Sequence, residues 1–354
     1  MNFILNGKAQ GDVASKLLDC NFDVRALRPF VGQDGKSYLT VNNSGKEQCI
    51  PISNTTATLR KDEWKLIDET VIGVAKSRLK AVADLRAAGL TYNIPNGMGT
   101  TVLSTERVSD INPAAVSMDG MRENANDRAE FDIVNLPLPI IHKDFSFSAR
   151  QIASSRSVGA PLDLTMADLA ARRVAEEAEK LLLGKSSVAS EYSFGGGKIW
   201  GYTDYEKRST KSMTVPTASG WTGETLLSEV LDMKAASIAK KHYGPWMLYI
   251  SPNWDKYIDN DFKAASDKSI RQRISEVSGI SDIRTLDYLE DYDMVMVQMT
   301  SDVVRLVIGM EVVTVEWDSH GGLMKNFKVM TIMVPQLRSD QEDNCGIVHG
   351  RVVG

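Results

Sequence analysis

Two extended, partly apolar segments, residues 100–109 and 131–141, flank a polar stretch from Ile111 to Glu130. The first runs Thr100-Thr-Val-Leu and the second Phe131-Asp-Ile-Val followed by Leu136-Pro-Leu-Pro-Ile-Ile. Together they predict a long two-stranded excursion with no third strand beside it in sequence. Such a hairpin is marginal in water by itself, so its apolar side needs another part of the chain or a neighbouring subunit. Residues 1–60 pose the same problem. They are broken by turn-rich pieces (Gly32-Gln-Asp-Gly35, Asn42-Asn-Ser-Gly45, Ser53-Asn-Thr-Thr56), which predict turns, a brief helix near Val13–Leu18 and a hairpin. Phe22, Leu27, Phe30, Tyr38 and Ile50 are poor solvent residues, so this segment reads as an arm that lies on something else.

The remainder is built to bury a core. From Lys61 to Ala88, Trp64, Ile67, Val71, Val74, Ala75, Leu79, Val82 and Leu85 recur at steps of three and four and Gly89 closes the run, predicting one helix with a buried face. A second helix is predicted over Leu164–Leu183, capped by Asp163 or Thr165 and stopped by Gly184. Its apolar stripe is Leu164, Ala167, Ala171, Val174, Ala178 and Leu181, and the expected surface pairs are Arg172–Glu176, Arg173–Glu177 and Glu176–Lys180. Small alanines let this rod, about 30 Å long, lie close to a sheet. After Gly195-Gly-Gly197, read as a hinge, the elements alternate. Helices are predicted at Glu224–His242, near Trp254–Ile258 and at Ile270–Val277, with strands at Trp246–Ile250, Met294–Gln298, Val303–Ile308, Val312–Trp317 and Phe327–Val334. The last is apolar on nearly both faces and belongs inside a sheet.

Chemistry-bearing patterns break on spacing. Gly184-Lys185-Ser186 would need a glycine where Glu179 sits, and Gly195-Gly-Gly-Lys198 is followed by Ile199 in place of a hydroxyl. Asp259 and Asp261 resemble the start of a calcium loop, but Ala264 and Ile270 occupy the positions that need Gly and Glu. The acidic group Asp287, Glu290, Asp291 and Asp293 reads as solvent-facing, and His142, His242, His320 and His349 have no ligand spacing with one another. Arg271-Gln-Arg273 and Lys240-Lys-His-Tyr243 read as helix-end charges. No catalytic, cofactor or metal residue is therefore predicted. A G-x-S-x-G elbow, which a hydrolase reading would need, is absent.

Lys+Arg 41 against Asp+Glu 46 gives a net charge of −5, which argues against a chain built as a whole to coat nucleic acid while leaving room for a local basic face. Cys20, Cys49 and Cys345 are odd in number and far apart, so a reducing compartment is expected. No apolar run reaches membrane-helix length and the N-terminus lacks a signal-peptide pattern, which predicts a soluble, cytosolic product.

A helix with Trp64, an extended excursion, the run Leu136-Pro-Leu-Pro-Ile-Ile-His-Lys-Asp-Phe-Ser-Phe-Ser148, a long helix, an α/β insertion and the closing strands Asp302–Gly309, Val312–Trp317 and Phe327–Pro335 follow one another in this order. That order, over roughly residues 59–350, resembles the shell subunits of tailed phages and of encapsulins. The resemblance implies an α+β chain of the Hong Kong 97 phage capsid fold. Its parts would be an N-terminal arm at 1–60, an N-terminal helix region of the peripheral domain at 61–95 and an extended loop at 96–135. A peripheral domain with the spine helix at 136–195, an axial domain at 196–317 and a return to the peripheral domain at 318–354 would follow. The implied function is a major capsid protein that assembles as hexamers and pentamers into an icosahedral head around phage double-stranded DNA, made in the bacterial host cytoplasm and located in the virion. Implied partners are further copies of itself, decoration, scaffold and portal proteins, and packaged DNA in non-specific contact, with no membrane. The alternative is an encapsulin-type shell holding cargo enzymes. The residues preceding Trp64 favour the virion, because encapsulins begin near that helix.

Overall fold

A computed structural model of the chain describes residues 28–51 apart from 33, 35, 44 and 45, then 59, 61–108, 118, 131–158, 164–187, 193–263 and 268–352. The helix expected near Val13–Leu18, Phe22, Leu27, the cap Asp163 and most of Ile111–Glu130 lie outside the described residues.

The chain begins with a three-stranded antiparallel sheet, β1 (Phe30–Val31), β2 (Ser37–Asn43) and β3 (Lys46–Pro51). Helices α1 (Lys61–Arg78) and α2 (Lys80–Ala87) follow, then β4 (Thr91–Asn93), the hairpin β5 (Val102–Val108) and β6 (Phe131–Pro137), and β7 (Ile141–Ser148). Next come α3 (Ala149–Val158), the spine helix α4 (Thr165–Leu183), β8 (Ser193–Phe194), β9 (Gly197–Lys198) and β10 (Ser209–Met213). The last part holds α5 (Gly223–Ala239), β11 (Trp246–Ile250), α6 (Pro252–Ile258), α7 (Ile270–Ser275), β12 (Ile280–Thr285), β13 (Met294–Gln298), β14 (Val304–Ser319), β15 (Met324–Leu337) and β16 (Ile347–Val352).

Two sheets organise these elements. The first has the order β4-β14-β15-β7, with β15 paired antiparallel to both neighbours and β4 parallel to β14. Alternation along β7 puts Phe145 and Phe147 on one face, where Phe327 of β15 stacks on Phe145 at 5.1 Å and meets Phe147 edge-on at 5.7 Å. Trp64 of α1 completes the cluster, edge-on to Phe327 at 5.9 Å. The second sheet has the order β10-β16-β13-β11-β12 and is mixed, with β10/β16 and β11/β12 parallel. Both faces of its central strands β11 and β13 are buried. Trp246, Leu248, Ile250, Met294 and Met296 pack with Leu226, Val230 and Met233 of α5 and with α6 and α7, whereas Tyr249, Val295, Val297 and Ile347 point into the core shared with the spine helix.

Sheet membership crosses the boundaries that the resemblance implied at 196–317 and 318–354. Strand β14 pairs within the first sheet, and β16, near the C-terminus, pairs between β10 and β13 of the second. The two strands expected at Val303–Ile308 and Val312–Trp317 are one long strand, β14, whose register shifts between Ile308 and Met310 and again before Val313. Such bulges bend a strand while its partner, here β15, continues.

The single helix expected over Lys61–Ala88 is interrupted at Leu79, which has φ −83° and ψ 74°. Leu79 stays buried, so the apolar periodicity runs through the break and hides it. Residues Thr165–Leu183 form the spine helix, and Gly184, at φ 77°, supplies the left-handed cap that its lack of a Cβ allows. Leu164 occupies the N-cap position and makes no side-chain cap bond. Of the expected surface pairs, Arg172–Glu176 forms at 3.5 Å, while Arg173 turns to Glu176 at 3.0 Å and Lys180 lies over the Tyr288 ring. Glu177 instead accepts from Ser186 Oγ. The glycine run read as a hinge is a tight turn: Gly195 and Gly196 both have positive φ and join the two-residue strands β8 and β9. Asn135 Nδ2 donates to Gly195 O at 2.9 Å, which ties this turn to the root of the β5/β6 hairpin.

Phe327 is fully buried at the centre of the aromatic cluster. Phe327→Ala is expected to lower unfolding free energy by about 3–5 kcal/mol, because the lost ring leaves a cavity between α1 and the sheet. Chemical denaturation of the variant beside the unaltered chain measures it.

Candidate assembly surfaces

The hairpin β5/β6 pairs Val102–Val108 with Phe131–Pro137 and forms a two-stranded sheet with no third strand among the described residues. Its pleat divides it. Thr105 and Arg107 reach toward the chain's own body: Gln336 Nε2 donates to Thr105 Oγ1 at 3.1 Å, and Arg107 pairs with Asp132 and approaches Ser339 Oγ at 3.5 Å. The other face presents Phe131 and Ile133, 63% and 64% exposed, opposite Val108 and Glu106. Two large side chains left in water on one face of a ribbon are the mark of a contact that the single chain does not make. At the root, Leu136 and Leu138 are buried, which fixes where the ribbon leaves the body.

The arm is fastened at its base by one cation. Arg28 lies over the Trp64 ring at 4.4 Å and its Nη2 donates to both carboxylate oxygens of Asp68 at 2.6 and 2.7 Å. Trp64 Nε1 donates to Pro29 O at 3.1 Å, and Val31 N to Leu59 O at 2.9 Å. Beyond this clasp, Phe30 stacks on Tyr38, and the Tyr38 hydroxyl donates to Asp34, holding that carboxyl below its ordinary value. The hairpin expected in this segment is β2/β3.

The spine helix exposes Met166 and Leu169 near its N-terminus. The groove between it and β7, lined by His142, Lys143, Arg173, Glu176, Glu177 and Lys180, carries both signs of charge and no nucleophile–base pair.

Where the spine helix meets the second sheet, buried polar groups gather. Glu179 accepts from Ala81 N at 2.6 Å and Val82 N at 3.4 Å, capping α2 just beyond the Leu79 break. Asp84 pairs with Arg284 at 2.8 Å and accepts from the Tyr249 hydroxyl at 3.2 Å. Burial pushes Glu179 up to about 7 and raises Asp84 as well. A second knot joins His349 of β16 to Asp293 at 3.4 Å, with Lys185 3.4 Å from the same carboxylate and Arg208 donating to His349 Nδ1 at 3.4 Å. Burial pushes Asp293 upward, but His349 and Lys185 outweigh it and hold the carboxyl below its ordinary value. Lys325 is buried between β14 and β15 beside Glu316 and Asp318. The Glu179, Asp84 and Asp293 groups were not legible from spacing, since their partners lie far apart in sequence.

Of the residues weighed for chemistry, Lys185, Glu290, Asp293 and His349 meet at this second knot, and the others are spread apart. Asp259 pairs with Arg271, which also holds Asp255; Asp287 pairs with Lys80, and Glu290 with Lys185. Arg273 pairs with Glu276 and Lys241 with Glu342. His142 lies 3.8 Å from Asp144, His242 3.9 Å from Asp302, and His320 beside Ser319. Among the described residues no helix is long and apolar enough to cross a membrane, and no three metal-ligating side chains converge.

A family model described as "Family of unknown function (DUF6260)" matches residues 54–350. The chain belongs to the DUF6260 family. This DUF6260 chain is 26% identical over 234 residues to the type 1 encapsulin shell protein EncA of Myxococcus xanthus (strain DK1622), a stretch covering 65% of the chain and 70% of that protein. It superposes on the virus-like particle from Pyrococcus furiosus with a TM-score of 0.57 at 15% identity, over 81% of this chain and 99% of that one. The capsid of Myoviridae Phage XM1 also gives 0.57, at 10% identity over 75% and 90% of the two chains. The fold is the α+β Hong Kong 97 capsid fold that the order of elements implied.

Arg28→Ala removes both the stacked cation and the partner of Asp68. Cleavage between residues 28 and 51 in limited proteolysis is expected to accelerate about tenfold, as a clasp of roughly 1–2 kcal/mol would require, with the main melting transition little changed.

Proposed function

We propose that this chain is a structural, non-catalytic major capsid protein that self-assembles into an icosahedral shell around double-stranded DNA. The observation that carries the reading is the β5/β6 hairpin, a ribbon with no third strand among the described residues that leaves Phe131 and Ile133 in water on a capsid-fold subunit. In a shell this face is covered by a neighbour. Residues 96–135 act as the extended loop, the part around the spine helix and first sheet as the peripheral domain, and the part around the five-stranded sheet as the axial domain at the capsomer centre. Hexamers and pentamers, with decoration, scaffold and portal proteins as further partners, complete the reading. The protein is made in the host cytoplasm and resides in the virion.

A second reading, a compartment shell holding cargo enzymes, is favoured by the likeness to the Myxococcus xanthus encapsulin shell protein. The clasped arm before α1 supports the virion reading over it.

Electron microscopy of the purified full chain tests the proposal: closed particles or capsomers are expected, and a strictly monomeric species at all concentrations and salts overturns it. Particles containing co-purified enzymes in place of nucleic acid would establish the second reading. Phe131→Ser combined with Ile133→Ser is expected to shift melting little, because exposed substitutions usually change stability by about 0.5 kcal/mol or less. The same variant should shift sedimentation from particles to small species. No lysine occurs from Asn96 to Asn135, and the arginines Arg107, Arg122 and Arg128 stay protonated and are poor nucleophiles. Shells boiled in detergent and reductant are therefore expected to run as one band near 39.0 kDa; a surviving ladder of multimers contradicts non-covalent assembly.

A further inference from the structure

Glu179 is the most deeply buried carboxylate of the spine helix, 2% exposed, and it reaches out of that helix to cap another. We propose that Glu179 is a proton-operated latch between the spine helix and α2, which tightens when it takes up a proton and loosens when it loses it.

The geometry gives the latch two opposed demands. The Ala81 and Val82 N–H groups at the start of α2 favour a carboxylate, because a charged acceptor binds donors at a positive dipole end more strongly than a neutral acid does. The surroundings favour the acid. On α2, Asp84 adds a second negative charge, which Arg284 of β12 only partly offsets, since Asp282 shares that guanidinium at 3.2 Å. Lys80 is the one cation of α2 close enough to lower Glu179, and it is turned to Asp287 at 3.4 Å. From the loop between β9 and β10 comes the Tyr202 hydroxyl, fully buried with no hydrogen-bond partner among the described residues, and from β11 the Tyr249 hydroxyl, committed to Asp84. On α4 itself, Glu176 is paired with Arg172 and Arg173, and Lys180 is drawn to Tyr288. Among the described residues no cation forms an ion pair with Glu179, and Lys80 acts on it only from a distance.

These opposed demands leave its proton affinity near the physiological range, about 7. The sign follows from linkage. A carboxyl whose affinity is higher in the folded chain than in the unfolded one adds stability that is complete below the unfolded value and is lost as pH rises through the folded one. Asp84, raised in the same direction, adds to it. Glu179 holds α2 to the spine helix, and Asp84 of α2 holds Tyr249 of β11 and Arg284 of β12, so the protonation state of one side chain bears on how firmly α2 is held between them.

Hydrogen exchange and mass spectrometry of the full chain, read on peptides covering residues 79–87 and corrected for intrinsic rates, tests the latch in whatever assembly state the protein adopts. A failure of the shell reading therefore leaves this test intact. Between about pH 5 and 7, the opening constant of the unaltered chain is expected to rise by up to about tenfold per pH unit relative to Glu179→Gln, the limit for one proton. Parallel curves for the two overturn the proposal. Should Glu179→Gln not fold, Asp84→Asn decides: with one negative charge removed and Glu179 retained, the midpoint of the pH dependence moves to lower pH if Glu179 is the titrating group, and an unmoved midpoint overturns it.

Discussion

Ala167, Ala171, Val174, Ala175 and Ala178 let the backbone of the spine helix approach the sheet of β7 and β15, and the rest of the subunit is positioned from that contact. Larger side chains on this stripe would push the helix outward and open the core that the two sheets share. The same rod carries Glu179 to the start of α2 and, past the Gly184 cap, Lys185 to Asp293. Both halves of the subunit therefore take their position from one helix. Close packing fixes its distance and buried polar contacts fix its rotation, since a capped N-terminus tolerates little displacement of its acceptor.

The parts that extend from this body are of another kind. The β5/β6 hairpin and the described part of the arm are each held at the base by specific polar contacts. Asn135 and its bond to the Gly195 carbonyl serve the hairpin, and the Arg28, Trp64 and Asp68 group serves the arm. A rigid body with firmly rooted projections suits a subunit that must present the same surface many times over. Closed assemblies built from one chain depend on identical contacts being repeated by symmetry.

Charge is distributed accordingly. Surface acids and bases are mostly matched in short-range pairs, as Arg271 is with Asp255 and Asp259, and such exposed pairs contribute little individually. The costly electrostatics lie inside, at Glu179, Asp84 and Asp293, where each group depends on a partner from a distant stretch of chain, and at Lys325, which is buried beside Glu316 and Asp318 of the adjoining strand. Buried groups of this sort constrain geometry more than they stabilise it.

The sequence by itself determined the periodic and local features. The spine helix with its Gly184 stop, the strands at Trp246–Ile250 and Met294–Gln298, and the unsupported excursion around Phe131 are set by side-chain alternation and turn residues. The order of those elements was enough to point to the capsid fold. What it left open depended on contacts between residues far apart in the chain. The break at Leu79 is invisible in a pattern that stays apolar throughout, and it is matched by a carboxylate about a hundred residues later. The glycine turn became a fastening because Asn135 lies against it, and β16 entered the second sheet because β10 and β13 left a gap for its ladder bonds. Backbone hydrogen bonds and buried charges are satisfied wherever the folded chain places a partner. Hydrophobic periodicity records only that a residue is buried, so the partner was decided by tertiary structure.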